Sequence, residues 1–435
     1  MNQDKTEKGQ AQASAIEFWE ALRRGSGRAA VLLQKEPQNP ELNTELLRAC
    51  VENLVYDPQC EARRAPYLCE LIRITGQQDA YRDALESRLQ AVVPDDPIWD
   101  VEQVFGILAR LAERDGGGAD ILRDFVLATG DKTLAEAVAP ELVRLQGLEA
   151  LLASARRFSP EIAEDPWLLA EMVHALEERD GAEVVKAALR EACQGDAAFG
   201  RLMDLAEDKT RTSGEPVAVP VYATLKAEVG ARRHFPRAWI TDASQEDIER
   251  AAGDLLTETE DGRVLAYLVI FRARTFPGDP TRLFPLLASA NRRVAFSAAS
   301  VLARISHPAI RSLAHCFIAE GQHDLGARLL RSSHGEGDVA LLKTLLDQFA
   351  SDEDAYHSLG CSVLAIVEHA EEKSDEALAV LLHLYENGPC STCRGRTVDQ
   401  LAAMDRIPSW MLEEGRYDAE PSIAERFRAP TPQEQ

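Results

Sequence analysis

The 435-residue chain is short of the residues that build sheets. Aromatics make up only 6% of it, and runs of Val, Ile, Thr and Tyr alternating with polar residues are nearly absent. A half-buried strand needs that two-residue alternation, so a β-rich fold is excluded. Long apolar runs are missing too. The most apolar stretch, Val264–Phe271, is far too short to cross a bilayer. The opening residues, MNQDKTEKGQAQASA, carry no apolar segment of the kind a secretory signal requires. The eight cysteines (Cys50, Cys60, Cys69, Cys193, Cys316, Cys361, Cys390, Cys393) are scattered through a large chain, which excludes a dense disulfide framework. These absences predict a soluble cytoplasmic protein with reduced thiols and no membrane partner. Positive charge is also in deficit: 48 Lys and Arg stand against 72 Asp and Glu, for a net charge of −24. Such a chain repels phosphate backbones on average, so nucleic acid is a disfavoured partner.

What remains is dominated by Ala and Leu, which lose little side-chain entropy in a helix. Helical spacing opens with Ile16, Phe18, Trp19 and Leu22, and continues with Leu46, Leu47, Cys50, Val51 and Leu54. Short turn signals separate such segments: Pro37-Gln38-Asn39-Pro40, Asp57-Pro58, Pro94-Asp95-Asp96-Pro97 and Gly116-Gly117-Gly118. Helices joined by loops this short pack against their sequence neighbours. The strongest break is KTRTSGEPVAVP, Lys209–Pro220, whose Gly214, Pro216 and Pro220 forbid a continuous helix and leave Val217–Tyr222 as a short extended candidate. The expected organisation is a polar tail at 1–12, a helical subdomain at 13–208, an irregular region at 209–241, a second helical subdomain at 242–427 and a tail at 428–435. Within the irregular region, Arg232–Thr241 (with His234, Pro236 and Trp239) reads as an ordered loop.

Beyond Asp242 a period of about 30 residues emerges, within the range of helical arrays. First helices are expected near Asp279, Pro308 and Gly337, and their partners near Asn291, His323 and Asp354. In the unit DPTRLFPLLASANRRVAFSAASVLARISHPAIRSLA, Val294, Ala298, Val301, Leu302 and Ile305 form one apolar face, while Arg293, Ser297, Ser300 and Arg304 form a polar stripe beside it. This unit resembles a HEAT repeat, and CRGRTVDQLAAMDRIP, Cys393–Pro408, looks like a terminal one. The resemblance covers about Asp242 to Phe427; before Lys209 no steady period is legible. It implies an all-α fold, an α-α superhelix of antiparallel helix pairs, and a scaffold that holds a partner on one face. A nucleic-acid-binding HEAT-like protein and a HEAT-like enzyme are the alternatives.

No residue pattern announces catalysis. HExxH, the nucleophile elbow and the P-loop are absent, and no histidine precedes a glutamate. Gly25-Ser26-Gly27-Arg28-Ala29-Ala30 has the outline of a dinucleotide fingerprint, but a helix stands before it where a strand is needed. The acidic groups Asp352-Glu353-Asp354 and Glu371-Glu372 lack the alternating oxygen ligands of a calcium loop. Cys390-Ser391-Thr392-Cys393 is half a zinc site; with His383 as the nearest further donor it stays one ligand short, so Cys393 is expected to pack in a core. No metal, cofactor or catalytic residue is therefore expected. One feature points to binding. Between Gly262 and Ser312 stand eight arginines (Arg263, Arg272, Arg274, Arg282, Arg292, Arg293, Arg304, Arg311), no lysine and a single acid, Asp279. Guanidinium groups grip carboxylates in a fork, so these residues form either an internal ladder to neighbouring acids or a ridge for an acidic segment of a protein partner. In the ridge reading, Arg293 and Arg304 bracket the small Ser297 and Ser300.

Overall fold

Side chains that replace missing backbone partners mark many helix starts. Asn39 Oδ1 accepts from the N–H groups of Glu41 and Leu42 ahead of Pro40–Val51. Asp131 does the same for Lys132–Gln146, Ser244 for Gln245–Leu255 and Asn291 for Arg292–Leu302. Each such cap contributes about 1 kcal/mol to its helix. Helix ends are written as plainly: Gly116, at φ +77°, takes the left-handed conformation that closes Ile98–Asp115.

The structure, a computed structural model, describes residues 15–93, 95–211, 221–229, 235–369 and 374–428. Helix is the dominant element among these residues and no strand occurs. No helix is long and apolar enough to cross a membrane. The chain divides into two compact units: residues 1–215 with 390–392 and 408–435, and residues 216–389 with 393–407.

In the first unit, alternate helices pack one on the next in a row: Arg28–Lys35, Ala65–Thr75, Ile98–Asp115, Lys132–Gln146, Trp167–Asp180 and Ala197–Arg211. Their starts are thirty-odd residues apart, a period not legible in the sequence of this half. The hydrophobic pattern is interrupted where Glu102, Gln103 and Glu141 are buried and where Pro140 sits inside a helix. Residues 408–428 belong to this unit, which shortens the second subdomain expected at 242–427. Arg28 Nε meets Glu414 Oε1 at 2.8 Å, and the Ala419 N–H donates to Gly25 O.

The second unit repeats the alternate-helix row with Asp261–Ala273, Arg292–Leu302, His323–Leu330 and Glu353–His369. Pro308–Ala319 and Asp338–Gln348 lie between them in sequence, so the helix starts fall close to the expected ones. Val294, Ala298, Val301 and Leu302 are buried as their shared face requires. Residues 212–220, including most of the Lys209–Pro220 break and Val217–Pro220, lie outside the described residues, as do 1–14, Pro94, His234, Glu371-Glu372 and 429–435. Tyr222 opens the helix Tyr222–Glu228 instead of ending a strand. The expected loop at 232–241 includes the helix Arg237–Asp242, held by Trp239, which packs against Tyr222 and Phe235.

Candidate functional site

The helix row of the second unit carries an open cavity of about 580 Å³ on one side. Successive helices each supply part of its wall. Arg272 comes from the first, and Phe296 and Ser300 from the next, which Ala303 and Arg304 follow in the chain. Arg328 comes from the third, with Arg331 just after it; the fourth adds His357, Ser358, Cys361, Ser362 and Ala365, and Arg396 completes the lining. No carboxylate is among the lining residues. Arg396 is neutralised from outside by a fork to Glu368, at 3.0 and 2.9 Å. Ser358 donates to Asp324, also outside the lining set. The other four arginines have no carboxylate within ion-pairing distance among the described residues. Arg328 lies over the half-exposed Phe296 ring, 4.2 Å from its centroid. That contact holds its charge in place without cancelling it. Converging unneutralised guanidinium groups raise the local potential and favour an anion.

The eight sequence-predicted arginines separate into different environments. Arg272 and Arg304 line the cavity. Arg263 pairs with Glu258 at 2.7 Å, and Arg311 forks onto Asp338 at 2.8 and 3.1 Å. Arg274 donates to the carbonyls of Ile240 and Thr241. Arg282, Arg292 and Arg293 are exposed and do not line the cavity, so Arg293 does not bracket it with Arg304. Arg328, Arg331 and Arg396 lie beyond the Gly262–Ser312 segment and were missed. A signal for them exists: Arg304 follows Arg272, and Arg331 follows Arg304, by about one repeat period each, and Arg396 stands about two periods further on.

A second constellation borders the same cavity. His357 and Cys361 are one turn apart on a single helix and therefore face the same way. Cys393, the third residue of Ser391–Ala403, meets both. Its Sγ is 3.5 Å from Cys361 Sγ and 3.4 Å from His357 Nε2, while Cys361 Sγ is 3.5 Å from His357 Nε2. The sulfurs are too far apart for a disulfide, and all eight cysteines are outside disulfides. The Cys361 thiol is pushed down to about 5, chiefly by the hydrogen bond with Cys393. Hydrogen bonding and charge from His357, with the charge of Arg396, add to that effect against the opposing pull of burial. The ligand count made from the sequence is thus corrected. His383, its proposed nearest donor, stands beside Asp347, whereas His357 and Cys361 are the donors at Cys393. One helix face joins His357 to Cys361, but only the tertiary fold brings that face to Cys393.

The first unit holds a cavity of about 450 Å³ of different character. Its lining includes Arg63, Arg64 and Arg110 together with Glu61, Glu102, Glu136, Glu141 and Glu171, and the exposed indoles Trp99 and Trp167. Arg63 bridges Glu102 at 2.9 Å and Glu141 at 2.6 Å. Arg64 pairs with Glu61 at 3.2 Å, both side chains fully buried, and Arg110 approaches Glu141. Burial pushes the Glu102 carboxyl up, the charge of Arg63 opposes this, and Glu141 reinforces it.

No protein-family model, no curated protein and no solved structure matches the chain.

Proposed function

We propose that this chain is a non-enzymatic binding scaffold, a HEAT-like helical solenoid whose second unit receives an acidic segment of a protein partner. The observation that carries this reading is the set Arg272, Arg304, Arg328 and Arg331, which converge on one cavity without a carboxylate partner among the described residues. Isolated like charges raise the energy of the folded state, and a bound carboxylate relieves that repulsion. A fork from guanidinium to carboxylate contributes about 1.5–3 kcal/mol where water is excluded, and little where it is not. The wall is built from successive alternate helices, as the inner face of a stacked array is built. The net charge of −24 opposes a long nucleic acid approaching from other directions, whereas a short acidic segment meets only the local field.

The test is fluorescence anisotropy with a labelled oligoglutamate peptide and, separately, a single-stranded oligonucleotide of equal length. The peptide is expected to bind in a salt-dependent way. The double change Arg272→Glu and Arg304→Glu should weaken it at least about tenfold, with the thermal midpoint nearly unchanged. Equal peptide binding by that folded variant overturns the reading, and tighter binding of the oligonucleotide transfers the cavity to the nucleic-acid alternative.

A further inference from the structure

The thiol–imidazole constellation has a geometry that hydrogen bonding alone does not require. A zinc ion with sulfur about 2.3 Å and nitrogen about 2.0–2.1 Å away holds its ligands on a tetrahedron. The edges of that tetrahedron are about 3.8 Å between sulfurs and about 3.6 Å from sulfur to nitrogen. The three separations among His357 Nε2, Cys361 Sγ and Cys393 Sγ are 3.4–3.5 Å, close to those edges. Three soft donors on two helices thus define one face of a tetrahedron. The fourth corner is left to water, as in zinc sites built on two thiolates and one imidazole.

We propose that His357, Cys361 and Cys393 bind one zinc ion in a Cys2His site. Soft thiolates and one imidazole select zinc over magnesium or calcium, and three protein donors leave the fourth position to water. The ion joins the helix Glu353–His369, which supplies one wall of the cavity, to Cys393. Binding displaces the thiol protons, so the thiolates offset the charge of the ion and its affinity falls in acid. Nothing here depends on which ligand the cavity takes, and the test involves none.

The full-length protein, purified without chelator from zinc-supplemented medium, should hold one zinc per chain by elemental mass spectrometry. Cobalt loaded in its place should show thiolate-to-metal charge transfer and the intense visible bands of a tetrahedral site. Each of Cys361→Ser, Cys393→Ser and His357→Ala should lower zinc affinity at least about tenfold, a loss seen already when an outer-shell partner is removed. Cys316→Ser, at an exposed cysteine, should leave it unchanged. The cobalt spectrum comes from the unaltered chain, so a variant that fails to fold does not remove the test. Wild-type protein that stays metal-free with its thiols reduced overturns the proposal. So does an octahedral cobalt spectrum, or full affinity in any one of the three ligand variants.

Discussion

In the cavity of the first unit Arg63, Arg64 and Arg110 each meet a glutamate; in that of the second, Arg272, Arg304, Arg328 and Arg331 meet none. Both cavities lie on a row of alternate helices, so the difference is one of charge pairing on the same kind of scaffold. In the first unit the acids come from within: Glu102 and Glu141 are buried in the row itself and draw Arg63 onto them. There, arginine is a structural residue. In the second unit the residues that line the cavity beside these arginines are Ser, Ala, Phe, Cys and His, and none is a carboxylate. The count of arginines in a segment therefore says little about binding; the count of arginines without acids says more.

The comparison predicts its largest effect at Arg64. Arg64→Met leaves the buried Glu61 carboxylate with the N–H groups of Asp57 and Ser391 but no cation, and breaking such an ion pair costs about 3–5 kcal/mol. Urea unfolding followed by circular dichroism should show that loss, and a change below about 1 kcal/mol would mean that the pair is not structural.

Next comes a change that converts the second cavity toward the first. Ser300→Glu places a carboxylate among the four unpaired guanidinium groups. Stability should rise slightly, by up to about 1 kcal/mol, while oligoglutamate affinity falls at least about tenfold because the site now holds its own acid. Retained affinity would separate the cavity from the binding event.

The pH dependence should have opposite signs at one carboxyl of each unit, Glu102 and Asp338. Glu102 has a raised carboxyl, so its contribution to stability is full below the unfolded value of about 4.3 and is lost as pH rises through the folded value. Glu102→Gln should remove that loss on the way to neutrality. Asp338 is held low: burial pulls its carboxyl up, but the hydrogen bond and charge of Arg311, the Gly335 N–H and His315 together outweigh it. Its contribution is present above the unfolded value of about 3.9 and is lost as pH falls through the folded value. Asp338→Asn should flatten the acid side of the curve. Urea midpoints measured from pH 8 down to acid check both, and equal slopes in wild type and variants would refute the assignment.

The smallest effect belongs to Arg293→Glu. Arg293 is exposed and does not line the cavity, so stability should stay within about 0.5 kcal/mol and oligoglutamate affinity should hold. A large drop in anisotropy would move the interface to the outer stripe.

Helix identity and several starts were legible because they depend on local signals: the Asn39 and Asn291 caps, the Gly116 stop and the stripe from Val294 to Leu302. The period of the first half was not. Buried Gln103, which donates to the carbonyls of Ala49 and Cys50, looks polar in sequence yet satisfies core backbone. Of the arginine set, Arg272 and Arg304 stand in the arginine-rich segment of the sequence and Arg328, Arg331 and Arg396 do not. Charge density along the chain marks one segment, whereas the cavity gathers one or two arginines from each of several helices.

Composition and periodicity by themselves determined that this chain is helical, because helix formation rests on hydrogen bonds within a few residues and on which face is apolar. Only the tertiary structure decided which arginines have an acid to answer them. It also decided that His357 and Cys361 share a corner with Cys393, since that meeting joins residues 32 and 36 positions apart. Pairing of charges and closure of a ligand set depend on distances across helices. A chain specifies those distances only once its apolar faces have packed.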